Sequence, residues 1–268
     1  MKRVLITGKS GYIATALQQA FQGKYELTCI GQSDFNLSNR EITNNWFKDK
    51  QFDVVIHTAA IVCSRLKPDT LDILDVNLKM FFNLLANKDK YKRFITFGSG
   101  AELSNPESYY GMSKNIISRY IDTENDFFNI RIFGVFDENE LDTRFIKTNI
   151  LKYIKREPMS IHQNKFMDFF YMPDLVNLVE VYINNHFLDK TIDCCYEFSP
   201  ALLYIAEKIN MLDTHQVPII VENDLRGKDY CGSKPKLPIT PIGLDEGIKR
   251  VFLKLKREYT SKGDIFLL

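Results

Sequence analysis

The sequence predicts an α/β fold in which a parallel, doubly wound sheet is covered by helices on both faces. Short apolar runs rich in β-branched residues recur through the first half of the chain, and helix-length segments separate them. The runs are apolar at consecutive positions, which is typical of strands that are buried on both faces. The alternation of strand-like and helix-length segments becomes irregular after Gly134, which indicates a smaller, mainly C-terminal lobe.

The elements follow in order along the chain. The predicted strands are residues 3–7, 25–30, 53–57, 93–97 and 127–133, with helices at 11–22, 39–50, 76–86 and 108–122. Later helices are predicted at 142–156, 173–184 and 201–211, with a short strand near Met159. Residues 227–241 are predicted to form an ordered loop. We assign 1–133 plus about 166–195 to the sheet domain, and about 134–165 and 196–268 to the lobe.

Composition and charge restrict the possible classes of function. The chain has 35 Lys and Arg residues against 34 Asp and Glu, a net charge of +1, so no strong overall field attracts nucleic acid or anionic lipid. No run reaches the roughly 18–20 apolar residues of a membrane span, and no signal-peptide core follows Met1. We expect a cytoplasmic protein that binds neither nucleic acid nor membrane.

The cysteines and histidines show no metal or redox spacing. The five cysteines contain no Cys-x-x-Cys pair, and no two of the four histidines are four positions apart. We therefore expect buried thiols and no metal site. The residues are Cys29, Cys63, Cys194, Cys195, Cys231, His57, His162, His186 and His215.

A glycine-rich turn follows the first predicted strand and begins a helix. Gly8 and Gly11 permit a tight turn and allow backbone amides to approach a pyrophosphate at the positive end of that helix. Ala14 is small enough for close packing of the helix on the sheet. The turn therefore predicts dinucleotide binding. The candidate contacts in it are Gly8, Lys9, Ser10, Gly11, Tyr12 and Ile13.

The end of the second strand bears on the choice between NAD and NADP. An acidic residue usually binds the ribose 2′-hydroxyl of NAD there, but residues 31–33 read Gly-Gln-Ser. Lys9 and Ser10 are placed to hold a 2′-phosphate, and Asp34 is expected beyond the strand, near the adenine. The sequence thus favours NADP(H), with NAD(H) possible, and adds Gln32 and Asp34 to the candidate cofactor contacts.

Residues 109–114 read Tyr-Tyr-Gly-Met-Ser-Lys and predict an acid/base pair. On a helix Tyr110 and Lys114 are four positions apart and project from one face. An ammonium near a phenol favours the phenolate and lowers the tyrosine pKa toward neutrality. Tyr109 has Ser113 at the same spacing instead, so Tyr110 is the candidate acid/base.

Together the glycine turn and this pair resemble the short-chain dehydrogenase/reductase superfamily, in particular its extended branch of nucleotide-sugar epimerases, dehydratases and reductases. Further segments resembling that branch are residues 53–60, 75–77, 93–99, 131–136, 168–174 and 203–209. The resemblance implies a Rossmann domain with a substrate-binding lobe. It implies that Ser99, Tyr110 and Lys114 are catalytic and that Asn77 braces the site. It also implies cofactor contacts from Ala59, Ala60, Tyr110, Lys114 and Phe133.

The chain departs from the resembled branch at positions that define the reaction. The 4,6-dehydratases carry Thr-Asp-Glu where this chain has Ser99-Gly-Ala, and Glu102 is one place too far along. Fucose synthases place a cysteine two residues after the serine and a histidine in a later loop, where this chain has Ala101 and Arg144. Both chemistries are therefore disfavoured. Tyr110 also follows Ser99 more closely than in relatives, which indicates a shortened loop over the sugar.

These departures favour hydride transfer at a single sugar carbon, as in reduction of a 4-keto nucleotide sugar by NADPH. A 4-epimerase with tightly bound NAD and a sugar 4-dehydrogenase are alternatives. A non-catalytic dinucleotide-binding sensor is less favoured, because Ser99, Tyr110 and Lys114 are intact. The candidate substrate contacts are Ser99, Tyr110, Arg144, Lys165 and Lys236.

The helices after Asn77 and Ser108 carry many apolar residues, namely Met80, Phe81, Leu84, Leu85, Ile116, Ile117 and Tyr120. In the resembled family these two helices pair with their symmetry mates in a four-helix contact. We therefore expect a homodimer in which the surplus apolar surface is covered. The alternative is that these residues face the sheet of their own chain.

Overall fold

The computed structural model describes residues 1–62, 68–186 and 188–264. The strands are β1 (Arg3–Thr7), β2 (Glu26–Ile30), β3 (Phe52–His57), β4 (Tyr91–Ser99), β5 (Phe127–Ile132), β6 (Val135–Phe136), β7 (Met159–Gln163), β8 (Phe170–Tyr171), β9 (Thr191–Cys194) and β10 (Ile219–Asn223). The helices are α1 (Tyr12–Phe21), α2 (Arg40–Phe47), α3 (Leu71–Leu85), α4 (Ala101–Ser104), α5 (Tyr109–Ile121), α6 (Phe145–Ile154), α7 (Met172–Asn184), α8 (Leu202–Asn210) and α9 (Leu244–Asp264).

The chain divides into two compact units. The first contains Met1–Ile132 and Val176–Asp193, and the second contains Phe133–Leu175 and Cys194–Leu268. A six-stranded sheet in the order β2-β1-β3-β4-β5-β9 forms the centre of the first unit. The pairs from β2 to β5 are parallel. The predicted doubly wound parallel sheet is confirmed.

The strand order places a switch point between β1 and β3. The chain runs from β1 outward to β2 and then crosses to β3 on the other side of β1. Sheets of this type bind ligands where the order reverses, at the carboxyl ends of the strands. The segments that follow Thr7 and His57 therefore border the expected ligand crevice.

Both faces of the sheet are buried. Consecutive residues 4–6 in β1 and 54–56 in β3 are all buried, and because strand side chains alternate between faces, helices must cover both sides. On one face, Leu5 and Phe94 belong to the same cluster as Phe81 of α3.

The apolar residues of α3 and α5 lie mostly in the core of their own unit. Those buried in one cluster with the sheet are Met80, Phe81, Leu84 and Ile117, with Leu85 and Tyr120 packed against it. The expectation that these residues form surplus apolar surface is therefore wrong for the four buried ones, because α5 packs on β4 and β5 and against α3. Leu85 and Tyr120 are only partly buried. The homodimer stays a prediction without that support.

The second unit has its own core. Its strands form two parallel pairs, β10 with β7 and β6 with β8, and α6, α8 and α9 contribute to one apolar cluster. Sequence reasoning left α9 unassigned, although its buried residues follow the i, i+3, i+4, i+7 pattern of an amphipathic helix. They are Ile248, Val251, Phe252 and Leu255. Within the described part of the chain, no helix combines the length and apolar character needed to cross a membrane.

The cysteines are only partly as expected. Cys194 and Cys195 are buried, whereas Cys29, on the edge strand β2, and Cys231, in the loop between β10 and α9, are half-buried. Cys63 lies outside the described residues.

The core of the first unit supplies a matched pair of stability variants on adjacent residues of α3. Phe81 has no exposed surface and Phe82 is 41% exposed. We expect Phe81→Ala to lower the free energy of unfolding by about 3–5 kcal/mol through lost burial and a residual cavity. Phe82→Ala should cost about 1 kcal/mol or less, as for other exposed positions. Urea unfolding measures both values, and equal losses would contradict this assignment of the core.

Candidate active site

The turn between β1 and α1 is shaped to accept an anion. Gly8 has φ +73°, and a Cβ there would lie 2.9 Å from backbone atoms of Ala59, so glycine is required on both counts. The Gly11 amide donates to the Gly8 carbonyl at 2.8 Å and closes the turn. Helix α1 then begins at Tyr12 with no side-chain cap and no acidic residue in its first turn. Its positive end is therefore suited to a phosphate.

The ends of β1 and β3 are tied together beside this turn. The Thr7 hydroxyl is 2.8 Å from Nδ1 of His57 and accepts the Ala59 amide at 3.3 Å, while the Thr58 hydroxyl donates to the Thr7 carbonyl. Burial, and then the charge of Lys114, lower the pKa of His57 to about 3, so its ring is neutral at ordinary pH. The turn and the segment starting at Ala59 thus form a fixed cradle that fits a dinucleotide pyrophosphate.

The candidate contacts for this cradle lie on two loops of the first unit. Lys9, Ser10, Gly11, Tyr12 and Ile13 continue the turn from Gly8 into α1, and Ala59 and Ala60 follow β3. Gln32 and Asp34 lie in the turn after β2, and the side chains of both are exposed.

The position of Asp34 corrects an expectation. Its carboxylate accepts the Gly31 amide at 2.8 Å and the Lys9 ammonium at 2.7 Å. The hydrogen bond from Lys9, and to a smaller extent that from Gly31, lowers the pKa of Asp34. A carboxylate therefore does stand at the end of β2, because the chain turns back after Gly31. Lys9 is already paired with it.

The first turn of α5 is held by carboxyl and hydroxyl oxygens. The Ser108 hydroxyl accepts the Gly111 amide at 3.0 Å. Asp69 accepts the amides of Tyr109 and Tyr110 at 2.7 and 3.0 Å. Three amides that a helix leaves without internal partners are thereby satisfied. Sequence reasoning missed Asp69, since it precedes α3 and nothing local connects it to α5.

Lys114 is buried beneath Tyr110 on the same helix. Only 7% of Lys114 is exposed, its ammonium donates to the Phe97 carbonyl of β4 at 2.8 Å, and it lies 5.9 Å from the centre of the Tyr110 ring. Burial lowers the pKa of Lys114 to about 8, and the Glu102 carboxylate opposes that shift. The predicted pair thus lies together, with the ammonium over the ring.

Ser99 and Asn77 occupy neighbouring elements of the same unit. Ser99 is the last residue of β4, is buried, and its hydroxyl oxygen accepts the Ala101 amide at 3.2 Å. Asn77 of α3 is buried and bonds both the amide and the carbonyl of Ile61, at 2.8 and 2.9 Å. It also donates to the Ser113 hydroxyl of α5 at 3.3 Å. Asn77 therefore braces the helix that carries Tyr110.

The carboxylate of Glu102 lies next to Ser99. Sequence reasoning considered Glu102 only as an acid one position beyond the place of the dehydratase motif. It lies in α4, between Ser99 and Tyr110, and is buried. It accepts the Ser99 amide at 2.8 Å and Nε of Arg131 at 2.9 Å. An acidic residue just after a buried strand was the available signal, but its partner Arg131 is remote in sequence.

The remaining candidates lie in the second unit. Phe133 is buried with its ring edge-on to Tyr230 at 5.3 Å, and the Lys165 ammonium lies 5.9 Å from the centre of the Tyr230 ring. Arg144 is the residue before α6, and Lys236 is exposed in the loop before α9. These positions belong to a different compact unit from Ser99 and Tyr110.

The acidic residues of segment 168–174 act within the second unit. Asp168 is buried and accepts the Gly232 amide, the Ser199 hydroxyl and the Lys234 ammonium. Asp174 is likewise buried. It accepts the amides of residues 242 and 243 at 2.7 and 3.0 Å. These two carboxylates hold the loop between β10 and α9, which explains its order without regular structure.

The doubly wound sheet, the glycine turn and the proximity of Tyr110 and Lys114 are the features expected of an extended short-chain dehydrogenase/reductase. A family model described as "NAD dependent epimerase/dehydratase family" matches residues 4–192, and the chain belongs to that family. No curated protein matches the chain significantly.

Solved structures share the fold at low sequence identity. A GDP-L-fucose synthetase from Naegleria fowleri bound to NADP has a TM-score of 0.75 at 14% identity, covering 97% of this chain and 94% of that one. A GDP-mannoheptose C4 reductase from Campylobacter jejuni with NADP bound has a TM-score of 0.73 at 17% identity, covering 95% and 98%. A UDP-N-acetylglucosamine 4-epimerase from Bacillus cereus has a TM-score of 0.74 at 16% identity, covering 96% and 100%.

Two glycines with similar backbone angles test the cradle. Gly8 and Gly23 have φ +73° and +79°, but a Cβ at Gly23 would meet nothing within 4 Å, whereas one at Gly8 would collide with Ala59. We expect Gly8→Ala to weaken binding of a nicotinamide dinucleotide at least about tenfold, or about 1.4 kcal/mol, because the added Cβ would push the turn away from Ala59. Gly23→Ala carries the same conformational cost and should bind normally. Calorimetric titration measures both, and equal affinities would contradict the cradle.

Proposed function

We propose that the protein uses NADPH to reduce the 4-keto group of a nucleotide-linked sugar. The observation that carries the proposal is the buried Lys114 ammonium beneath the Tyr110 ring, 5.9 Å from its centre. A buried, charged side chain next to a phenol is costly for stability alone, and such arrangements are typical of acid/base sites. The family of the chain and its structural neighbours support a nucleotide sugar as the substrate class.

The proposed roles follow from the charges and hydrogen bonds of the site. The nicotinamide, when bound, supplies the hydride. Tyr110 gives its phenolic proton to the sugar oxygen as negative charge develops there, and the Lys114 ammonium makes that loss easier by stabilising the phenolate. The Ser99 hydroxyl donates a hydrogen bond to the same oxygen and polarises the carbonyl. Asn77 holds α5 and the segment at Ile61 in fixed positions through its side-chain hydrogen bonds.

Two environments support simple hydride transfer over the other reactions of the family. The Glu102 carboxylate is buried and held by Arg131, which argues against its acting on a sugar proton in elimination. Ala101 has no ionisable group, so the acid that fucose synthases place two residues after the serine has no counterpart here. Arg144, Lys165 and Lys236 are proposed contacts of the substrate diphosphate, on the basis of their charge.

A second candidate, a 4-epimerase with tightly bound NAD, is favoured by one observation. The Asp34 carboxylate at the end of β2 is suited to accept hydrogen bonds from ribose hydroxyls and would repel a 2′-phosphate. The nucleotide released when the purified protein is denatured distinguishes the candidates. Retained NAD would favour the epimerase, whereas exchangeable NADP would favour the reductase.

The two adjacent tyrosines test the acid/base role. Tyr110→Phe keeps the ring but removes the proton donor, so we expect turnover of 4-keto nucleotide sugars to fall about 10²-fold or more while NADPH still binds. Tyr109→Phe is the matched control and should change turnover little. Oxidation of NADPH measured by absorbance reports the rate. If Tyr109→Phe silences the enzyme and Tyr110→Phe does not, the assignment is wrong.

The Lys9–Asp34 pair tests the proposed preference for NADP(H). Asp34→Asn removes the charge that opposes a 2′-phosphate, so we expect the NADP(H) preference to rise. Lys9→Ala removes the cation and should lower it, each by about tenfold for a lost or gained charged contact. Fluorescence titration of both reduced dinucleotides gives the ratio. A tenfold preference of the unmodified protein for NAD(H) would contradict the proposal.

A further inference from the structure

A buried ion-pair network lies directly behind Ser99. Glu102 is 2% exposed, and its two oxygens accept separate donors, the Ser99 amide at 2.8 Å and Nε of Arg131 at 2.9 Å. Arg131 also donates to Asp193 at 2.7 Å. Two carboxylates therefore share one guanidinium, and the network carries one surplus negative charge.

The end of β4 is shaped around this carboxylate. A Cβ at Gly98 would lie 2.2 Å from Oε1 of Glu102 and 2.5 Å from Oδ1 of Asn129. Any side chain at Gly98 would thus displace Glu102 from the Ser99 amide. A buried carboxylate is unfavourable unless it is paired and hydrogen-bonded. Gly98 leaves the space that the Glu102 carboxylate occupies, and Arg131 pairs with it.

Glu102 also connects the elements that carry the proposed catalytic residues. It lies in the four-residue helix α4, which fills the short link between Ser99 and Tyr110. The carbonyl of Glu102 accepts Nδ2 of Asn115 on α5 at 3.1 Å. Through its backbone and side chain, Glu102 thus ties the end of β4 to α5 and to Arg131 on β5.

The same carboxylate acts on Lys114. The charged or titratable groups around the Lys114 ammonium are the neutral His57 from β3, Tyr110 from α5 and Glu102 from α4, with Arg131 of β5 and Asp193 of β9 behind Glu102. Burial lowers the pKa of Lys114, and the attraction of Glu102 raises it. Glu102 is thus the anion that favours the charged form of Lys114.

We propose that Glu102 is a positioning residue for this site: it holds the backbone of Ser99 and keeps Lys114 protonated at working pH. The effect of Glu102 on catalysis rests on the proposed function; its hydrogen bond to Ser99 and its attraction for Lys114 do not. The hydrogen bond from the Ser99 amide to the Glu102 carboxylate carries the first task. The second follows from the attraction of Glu102 for Lys114, and the hydrogen bond from Asn115 to the Glu102 carbonyl places α4 against the turn of α5 that carries Lys114.

Glu102→Gln is the principal test, because the amide oxygen can still accept the Ser99 amide while the charge is lost. Glu102→Gln removes the attraction that raises the pKa of Lys114. The alkaline limb of the kcat/KM profile, where Lys114 loses its proton, should therefore move to lower pH by at least about 0.5 unit. Glu107→Gln removes an exposed carboxylate from the same link and should leave the limb in place. A merely structural Glu102 would lower stability without moving the limb, and that result would overturn the inference.

A second variant separates charge from position. Glu102→Asp keeps the charge but withdraws it from the Ser99 amide, so kcat should fall while the alkaline limb stays near that of the unmodified protein.

If Glu102→Gln does not fold, Asp193→Asn removes one negative charge from the far end of the network. It should move the limb in the same direction by less, and an unmoved limb would again overturn the inference.

A measurement without substrate keeps this inference independent of the proposed reaction. Carbon NMR of the Lys114 ε-methylene, assigned with Lys114→Arg, should show titration near pH 8 in the unmodified protein and at lower pH in Glu102→Gln. If the titration moves but no 4-keto sugar is reduced, the proposed function fails and Glu102 keeps its electrostatic task. If sugars are reduced and the titration does not move, the function stands and the inference is overturned.

Discussion

Burial of a charged lysine imposes the main constraint on the first unit. An ammonium removed from water loses several kcal/mol of hydration unless fixed partners replace it. Lys114 has the Phe97 carbonyl at 2.8 Å, the face of the Tyr110 ring and the nearby Glu102 carboxylate. Each partner comes from a different element, so β4, α4 and the first turn of α5 must keep fixed positions relative to one another.

The position of the site at one edge of the sheet follows from the parallel strand order. Because the strands run in the same direction, their carboxyl ends meet at a common edge. Gly8 follows β1, Ala59 follows β3 and Ser99 ends β4, so the dinucleotide cradle and the proposed catalytic serine share that edge. The bonds among Thr7, His57 and their neighbours then fix the spacing of β1 and β3.

Local pattern predicted β1 to β5 of the six-stranded sheet and the Tyr110–Lys114 pair, because strand burial and helical spacing are properties of neighbouring residues. The edge strand β9 was not predicted. Contacts between remote residues could not be derived in this way. Arg131 is 29 positions from Glu102, and Asp69 is 41 positions from Tyr110. Asp34 is a local case that failed for another reason: it was expected beyond the strand, near the adenine, but the turn after Gly31 brings its carboxylate back to the Gly31 amide.

The charges behind the candidate site balance only when Lys114 is counted with them. Glu102 and Asp193 contribute two negative charges and Arg131 one positive charge, and neutral His57 adds none. The Lys114 ammonium brings the sum to zero. A neutral Lys114 would therefore leave a buried surplus carboxylate, which is itself costly. The fold thus stabilises the same protonation state that the proposed chemistry requires, and one electrostatic balance serves both the stability of the unit and the proposed catalysis.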